Sequence, residues 1–548
     1  MNKILSLLCL CCLTFFSACN SGSNTMKISS ALNADSLIKN IKVLSADDFE
    51  GRMPFTNGEV KTVAFLQEQF KAVGLEPGNG NSYLQDVPLV NILATAEKTM
   101  TVESKKGKFQ LNSYDDYIIW TDKTDENISL DKNELIFAGY GVVAPEHNWN
   151  DYEGLDVKGK VVLVMVNDPG FWVDDSTLFK GNEMTYYGRW TYKFEEAARQ
   201  GAKGCLIIHN TRAASYPFLV QQNSFNTSRL NLDKRGSKIP NADVIGWVPE
   251  HIANKLFEVA GYDSTLLVKA NKPGFKAVPL GLKLSTKMKV QSTYNKSYNV
   301  MGKITGSKYP DEVIIYTAHW DHLGIGNPDE TGDKIHNGAL DNATGTAALI
   351  ELARAFKAMN SKPERTIVLL AVTAEEQGLL GSQYYAENPV YPANKTLANI
   401  NIDGLNQFEP TKDMIIIGEG QSDLEELLKS VLENKGRTIA FDEHKEAGYY
   451  YRSDHFNFAK IGIPALYTET GIDVIGKGKE YGKKLQKTYT DNHYHRPSDE
   501  FDAATWTMNG GMQDLQALFE VGQKIANSKE WPKWHDGSEF KAIRSASK

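Results

Sequence analysis

Two apolar runs in the middle of the chain each stop abruptly at polar clusters. Val313-Ile314-Ile315-Tyr316-Thr317-Ala318 stops at His319-Trp320-Asp321-His322. Thr366-Ile367-Val368-Leu369-Leu370-Ala371-Val372 stops at Thr373-Ala374-Glu375-Glu376. Short uninterrupted apolar runs predict strands buried on both faces, as in a parallel sheet. Between them, Asp341-Asn342-Ala343 opens a helix-like segment. Further on, Ile400-Asn401-Ile402 leads into Asp403, and Ile463-Pro464-Ala465-Leu466-Tyr467 into Thr468-Glu469-Thr470. The pattern predicts an α/β fold with a mixed, mostly parallel sheet flanked by helices. Open sheets of this kind carry their sites at the carboxyl ends of the strands.

The remaining chain divides by periodicity. Leu32, Leu37, Ile41 and Leu44 have helical spacing, as do Val63, Leu66, Phe70 and Val73. The acidic stretch Asp47 to Arg52 between them reads as caps and a turn. From residue 119 to 290 short strands and turns dominate, with a helix near Lys193 to Gln200 and another from Glu250. No ligand-type cluster occurs there, so this is an inserted, smaller, β-rich α/β domain. Leu280, Leu282, Leu284, Met288 and Val290 alternate, as in an edge strand. The stretch 471–492, rich in glycine and lysine, reads as a loop, and the last helix as 509–526. The expected order is a leader (1–18), the first part of the main domain (19–118), the insert (119–290), the rest of the main domain (291–528) and a tail (529–548).

Composition changes this little. The 548 residues are 41% hydrophobic and 23% charged, with a net charge of -8. That charge argues against nucleic acid or an anionic membrane surface as partner. The N-terminus adds an address. Lys3 precedes the apolar stretch Ile4 to Phe16, which is too short to span a bilayer, and Ser17-Ala18-Cys19 follows. This resembles a bacterial lipoprotein signal with lipid on Cys19, although Phe16 replaces the usual leucine. The expected location is the cell envelope, on an outer-membrane anchor facing the periplasm, or secretion. Cys9, Cys11, Cys12 and Cys19 belong to the leader, so Cys205 alone remains and no intrachain disulfide can form in the folded part.

His319, Asp341, Glu376, Asp403 and His495 have the residue types and positions of metal ligands. Two imidazoles and three carboxylates suit zinc. Two metals sharing one carboxylate require about five side-chain ligands, because each keeps an open position. Adjacent side chains at a strand end diverge. Of Glu375-Glu376, one can therefore bind metal while the other faces the attacking water as a general base. His322, His336, His444, His455 and His493 are rivals.

His319-x-Asp321, Gly338-Ala339-Leu340-Asp341-Asn342-Ala343-x-Gly345, Glu375-Glu376, Ile402-Asp403 and Tyr494-His495-x-Pro497-Ser498-Asp499 together resemble peptidase family M28. The resemblance implies a zinc-exopeptidase fold, with the insert as a protease-associated domain, two Zn2+ per chain and peptide substrates. His319, Asp341 and Asp403 would hold one zinc, and Asp341, Glu376 and His495 the other. Glu375 would be the base, Asp321 would orient His319, and Tyr494 would donate to the oxyanion. A cis peptide at Asp341-Asn342 is also implied, although the family often has Asp where Asn342 stands. The expected activity is that of an aminopeptidase. A carboxypeptidase, which would need a cationic pocket such as Arg452 or Arg496, stays open. So do a glutaminyl cyclase and a catalytically dead peptide-binding lipoprotein.

Overall fold

The computed structural model describes residues 32–173, 175–236 and 239–546. The lipoprotein-like leader and its Cys19 lie outside the described residues. Among them, no helix is long and apolar enough to cross a membrane.

One strand, Val278–Ile304, runs through two sheet-bearing units. Leu280, Leu282, Leu284, Met288 and Val290 are buried, as their alternation predicts. The alternation lapses around Tyr294-Asn295-Lys296, where the sequence reading breaks the strand. Antiparallel pairing with Leu84–Ala96 nevertheless runs without interruption from Met288 to Val300. Backbone hydrogen bonds thus carry the strand across a stretch whose side chains face water.

The main unit is built on four parallel strands, in the order Arg365–Val372, Tyr309–His319, Thr396–Asn401 and Ala465–Thr470. Val300–Ile304 closes one edge antiparallel, and Asp413–Ile416 extends the other. Both faces are covered. Ile314, Tyr316 and Ala318 join the core under the helices Thr344–Lys357 and Asn509–Asn527. Val313 and Ile315 join Tyr385 and Phe458 on the opposite face. Double coverage is why these strands are apolar at every position instead of alternating. The strand Tyr309–His319 has its successor in sequence on one side and Thr396–Asn401 on the other. The crossovers therefore diverge at His319, where a crevice opens.

In the inserted unit, Asn127–Phe137, Val161–Met165, Gly204–His209 and Val244–Pro249 lie parallel, and Ile118–Trp120 is antiparallel at the edge. Its core runs from Val90 to Val290, so Leu84–Ala96 and Thr99–Ser104 already serve it. The boundary expected at 119 thus falls inside this unit's own sheet. Cys205 is buried here, and burial pushes its thiol far above the usual range. Cys205 is accordingly expected to resist alkylation in the native protein and to react fully in denaturant, as read by peptide mass.

The stretch read as a loop is in part a helix, Lys479–Asn492. Gly482 is its one buried residue, which leaves little hydrophobic stripe to detect; a Cβ there would stand 2.1 Å from the Ile472 carbonyl oxygen. A Lys487–Asp491 pair of 2.7 Å lies on its exposed side. In the tail, Trp534 is buried and its indole N–H donates to the Gly462 oxygen at 2.9 Å.

Candidate metal centre

Three of the four parallel strands deliver polar residues to the same crevice. His319 ends Tyr309–His319, Glu375 and Glu376 follow Arg365–Val372, and Asp403 follows Thr396–Asn401. Asp341 comes from the turn before Thr344–Lys357. That turn has a cis Asp341–Asn342 peptide, as the family resemblance implies. Gly338 enters it at φ 54°, and a Cβ there would meet the Asp341 oxygen at 2.2 Å and the His322 ring at 2.5 Å. Only glycine fits.

Two buried carboxylates fix the loops. Asp499 accepts from the backbone N–H groups of Leu340 (3.0 Å) and Asp341 (3.1 Å), and from the Tyr489 hydroxyl (3.1 Å). The Asp321 carboxylate accepts from the N–H groups of Glu375 (3.0 Å) and Glu376 (3.4 Å). It stands 3.9 Å from His319 Nδ1, which is nearer the Asp321 backbone oxygen at 3.1 Å. In this geometry the main chain, more than the carboxylate, faces the imidazole.

His319 Nε2 lies 3.0 Å from Asp403 Oδ1, 3.3 Å from Asp341 Oδ1 and 3.9 Å from Glu375 Oε2. His495 Nε2 lies 3.3 Å from Asp341 Oδ2 and 3.2 Å from Glu376 Oε2. The two oxygens of Asp341 thus face two different donor groups. Donor atoms of His319, Asp341 and Asp403 come within 4.8 Å of one another, and so do those of His322, Asp341 and Glu376. Tyr494 is 46% exposed and stacks on the His495 ring at 3.9 Å between centroids.

The electrostatics show what the crevice lacks. Burial opposes charge on every member, yet Asp403, Glu375 and Asp341 hold the His319 imidazole far above its ordinary pKa. His495 is raised to about 10 against its burial by Asp341 and Glu376. Burial and Asp341 both work against ionised Glu376, but His322 and His495 bring it to about 2. Glu375 goes the other way: burial, with Asp403 and Glu376 nearby, raises it well above the carboxylate range despite His319. This is a concentrated acidic cluster whose charge is offset in part by imidazoles and by the Arg52 guanidinium. His322 Nε2 is buried without a hydrogen-bond partner, and Glu376 Oε1 is buried with only His322 Nδ1 beside it. Lone pairs of this kind, converging from carboxylate and imidazole, fit a divalent cation of the zinc type.

Several neighbours were not legible beforehand. His322 counts only as one of several rivals in the sequence. The structure sets its Nδ1 2.6 Å from Glu376 Oε1. Ser453 donates to Asp403 Oδ2 at 2.6 Å and accepts from Asn401 Nδ2 at 2.8 Å. Arg52, from the turn read as simple capping, is fully buried under the site. Its guanidinium donates to the carbonyl oxygens of Trp320 (2.8 Å), Leu44 (2.7 Å), Asn337 (2.6 Å) and Gly338 (2.8 Å). A lone cation in an acidic turn was the only available signal. Arg52→Met is expected to destabilise the fold by about 3 kcal/mol or more, because it orphans several buried carbonyls at once. Denaturant unfolding, with an unchanged m-value, would check this.

Comparison with known proteins agrees in outline. Residues 299–519 match the family model "Peptidase family M28". The chain is 32% identical over 248 residues to carboxypeptidase Q of Xenopus laevis, covering 45% of this chain and 42% of that protein. It is 31% identical over 257 residues to a probable glutamate carboxypeptidase of Arthroderma benhamiae, covering 44% and 31%. The matching stretches thus span less than half the length of these relatives. Among solved structures, an aminopeptidase from Aneurinibacillus sp. strain AM-1 aligns over 92% of this chain and 97% of its own, at 19% identity and a TM-score of 0.47. The matched segment, 299–519, carries all of the crevice's candidate ligands, and it is in this segment that the chain is similar to peptidase family M28.

Proposed function

We propose that the protein is a zinc-dependent exopeptidase that removes residues from the amino end of peptides. The observation that carries this reading is the doubled donor set. His319 and Asp403 face one oxygen of Asp341, while His495 and Glu376 face the other. Two zinc ions would be held by these five side chains. When bound, zinc polarises the scissile carbonyl and makes water acidic enough to attack at neutral pH. Glu375, buried beside the cluster, takes the proton of the attacking water. It returns that proton to the leaving amine as the C–N bond breaks. A carboxylate whose environment favours the protonated form can do both. Tyr494, at the rim on His495, donates a hydrogen bond to the oxygen that gains charge. The acidic crevice also suits a free substrate ammonium group, and Glu469 adds a further carboxylate there, raised to about 7 by burial, Asp442 and Asp403.

A panel of aminoacyl nitroanilides, free peptides and N-acetylated peptides tests the reading. Release of the first residue, abolished by N-acetylation, is expected. A second reading, carboxypeptidase action, is favoured by the names of the curated relatives. Release of the last residue from N-acetylated peptides would establish it instead. A lipid anchor at Cys19 completes the proposal; palmitate labelling that persists in Cys19→Ala would refute it.

A further inference from the structure

His322 stands inside the crevice and has no part in the chemistry proposed above. It is wholly buried, and its Nδ1 lies 2.6 Å from Glu376 Oε1. Its Nε2 is buried without a hydrogen-bond partner, so that nitrogen is not committed elsewhere among the described residues. Gly338 backs the ring. A Cβ at that position would meet His322 Cγ and Cδ2 at 2.5 Å. Any larger residue there would push the imidazole out, so the glycine that shapes the Asp341 turn also admits His322.

The groups around His322 are those of a metal ligand. Ligand atoms of His322, Asp341 and Glu376 lie within 4.8 Å of one another. His495 reaches the same two carboxylates from the rim, with Nε2 3.3 Å from Asp341 Oδ2 and 3.2 Å from Glu376 Oε2. The two imidazoles thus flank Glu376, one beside each oxygen. Their rings stand 5.9 Å apart between centroids, inclined at 71°. Two imidazoles on one tetrahedral zinc, with Zn–N bonds of about 2.0–2.1 Å, stand roughly 5–6 Å apart. Across Asp341, the other donor group is His319, Asp341 and Asp403, with a single imidazole.

We propose that His322 is a further ligand of the second metal, beside Asp341, Glu376 and His495, and so joins the five side chains already named. Three protein ligands leave a position open for water or substrate, whereas four close a tetrahedral shell. The centre is then asymmetric. The site on His319, Asp341 and Asp403 keeps the open position, and the site closed by His322 retains its ion as an anchor of the crevice. Burial acts in the same direction. The His495 side chain is 37% exposed, whereas those of His322 and Glu376 are 0% and 4% exposed. An ion that loses its rim ligand is still held by His322, Asp341 and Glu376.

This inference rests on the two-zinc reading, and the experiment separates the two. The full chain is loaded with zinc, and release is followed against rising concentrations of a chromophoric chelator. The wild type is expected to give up its ions in two well-separated steps. His322→Gln should weaken the tighter ion by more than about 100-fold, beyond the roughly 10- to 100-fold that loss of an outer hydrogen bond costs. A loss within that smaller range, or none, would overturn the proposal and leave His322 as a hydrogen-bond partner of Glu376. Thermal unfolding reports whether the variant folds. If it does not, X-ray absorption on the wild type carrying one equivalent of zinc decides. Two imidazoles on that zinc are expected, and a single one would overturn the proposal. A wild type that binds no zinc would instead overturn the two-zinc reading itself.

Discussion

Glu375→Gln is expected to lower kcat by about 10²- to 10⁴-fold, the range set by losing a positioned general base. Its zinc content should stay at that of the wild type. The physical reason lies in how Glu375 differs from its neighbour. Glu376 has its oxygens on His322 and His495, and its proton affinity is low. Glu375 donates nothing to that cluster, approaches His319 only at 3.9 Å, and has a raised proton affinity. On the proposed reading, one carboxylate is a ligand and the other a proton carrier. Glutamine keeps the shape and the hydrogen-bonding oxygen but cannot take up the proton. Single-turnover rates together with elemental analysis would check this. Wild-type turnover in the variant would remove Glu375 from the mechanism, and loss of zinc would make it a ligand instead.

Asp341→Ala is expected to be at least as damaging, by a different route. Its Oδ1 and Oδ2 face separate donor groups, so one truncation opens both. Bound zinc should fall from the proposed two per chain to below one after desalting, and any stabilisation against heat that added zinc gives the wild type should vanish. Asp403→Ala, which faces only the His319 side, should lose about one. Retention of two zinc ions by Asp341→Ala would end the shared-carboxylate arrangement.

The geometry also reassigns weight among the histidines. His495 sits at the rim on a residue with φ 57°, whereas His322 is wholly buried against Glu376. Spacing could not rank them. His322 directly follows Asp321 in the motif, and spacing alone left it a rival beside four other histidines. The backbone leaves the strand at Trp320, and that exit turns His322 back inward. Arg52 was illegible for a similar reason. An arginine in a polar turn is ordinarily solvated, and its four carbonyl partners come from segments as distant as Leu44 and Gly338.

What the sequence determined by itself was the local part. Continuous apolar runs specify doubly covered strands, and residues at the ends of such runs must emerge at one rim of the sheet. That is enough to nominate His319, Glu375, Glu376 and Asp403. Where pattern is weak, local reading fails. The polar helix Lys479–Asn492 has almost no buried stripe, and the long strand Val278–Ile304 is held across its exposed stretch by pairing alone. Only the tertiary structure decided which oxygen of Asp341 faces which partner and that Arg52 lies beneath the site. These are relations between residues tens to hundreds of positions apart. Their energies depend on distance and burial, which periodicity along the chain does not encode.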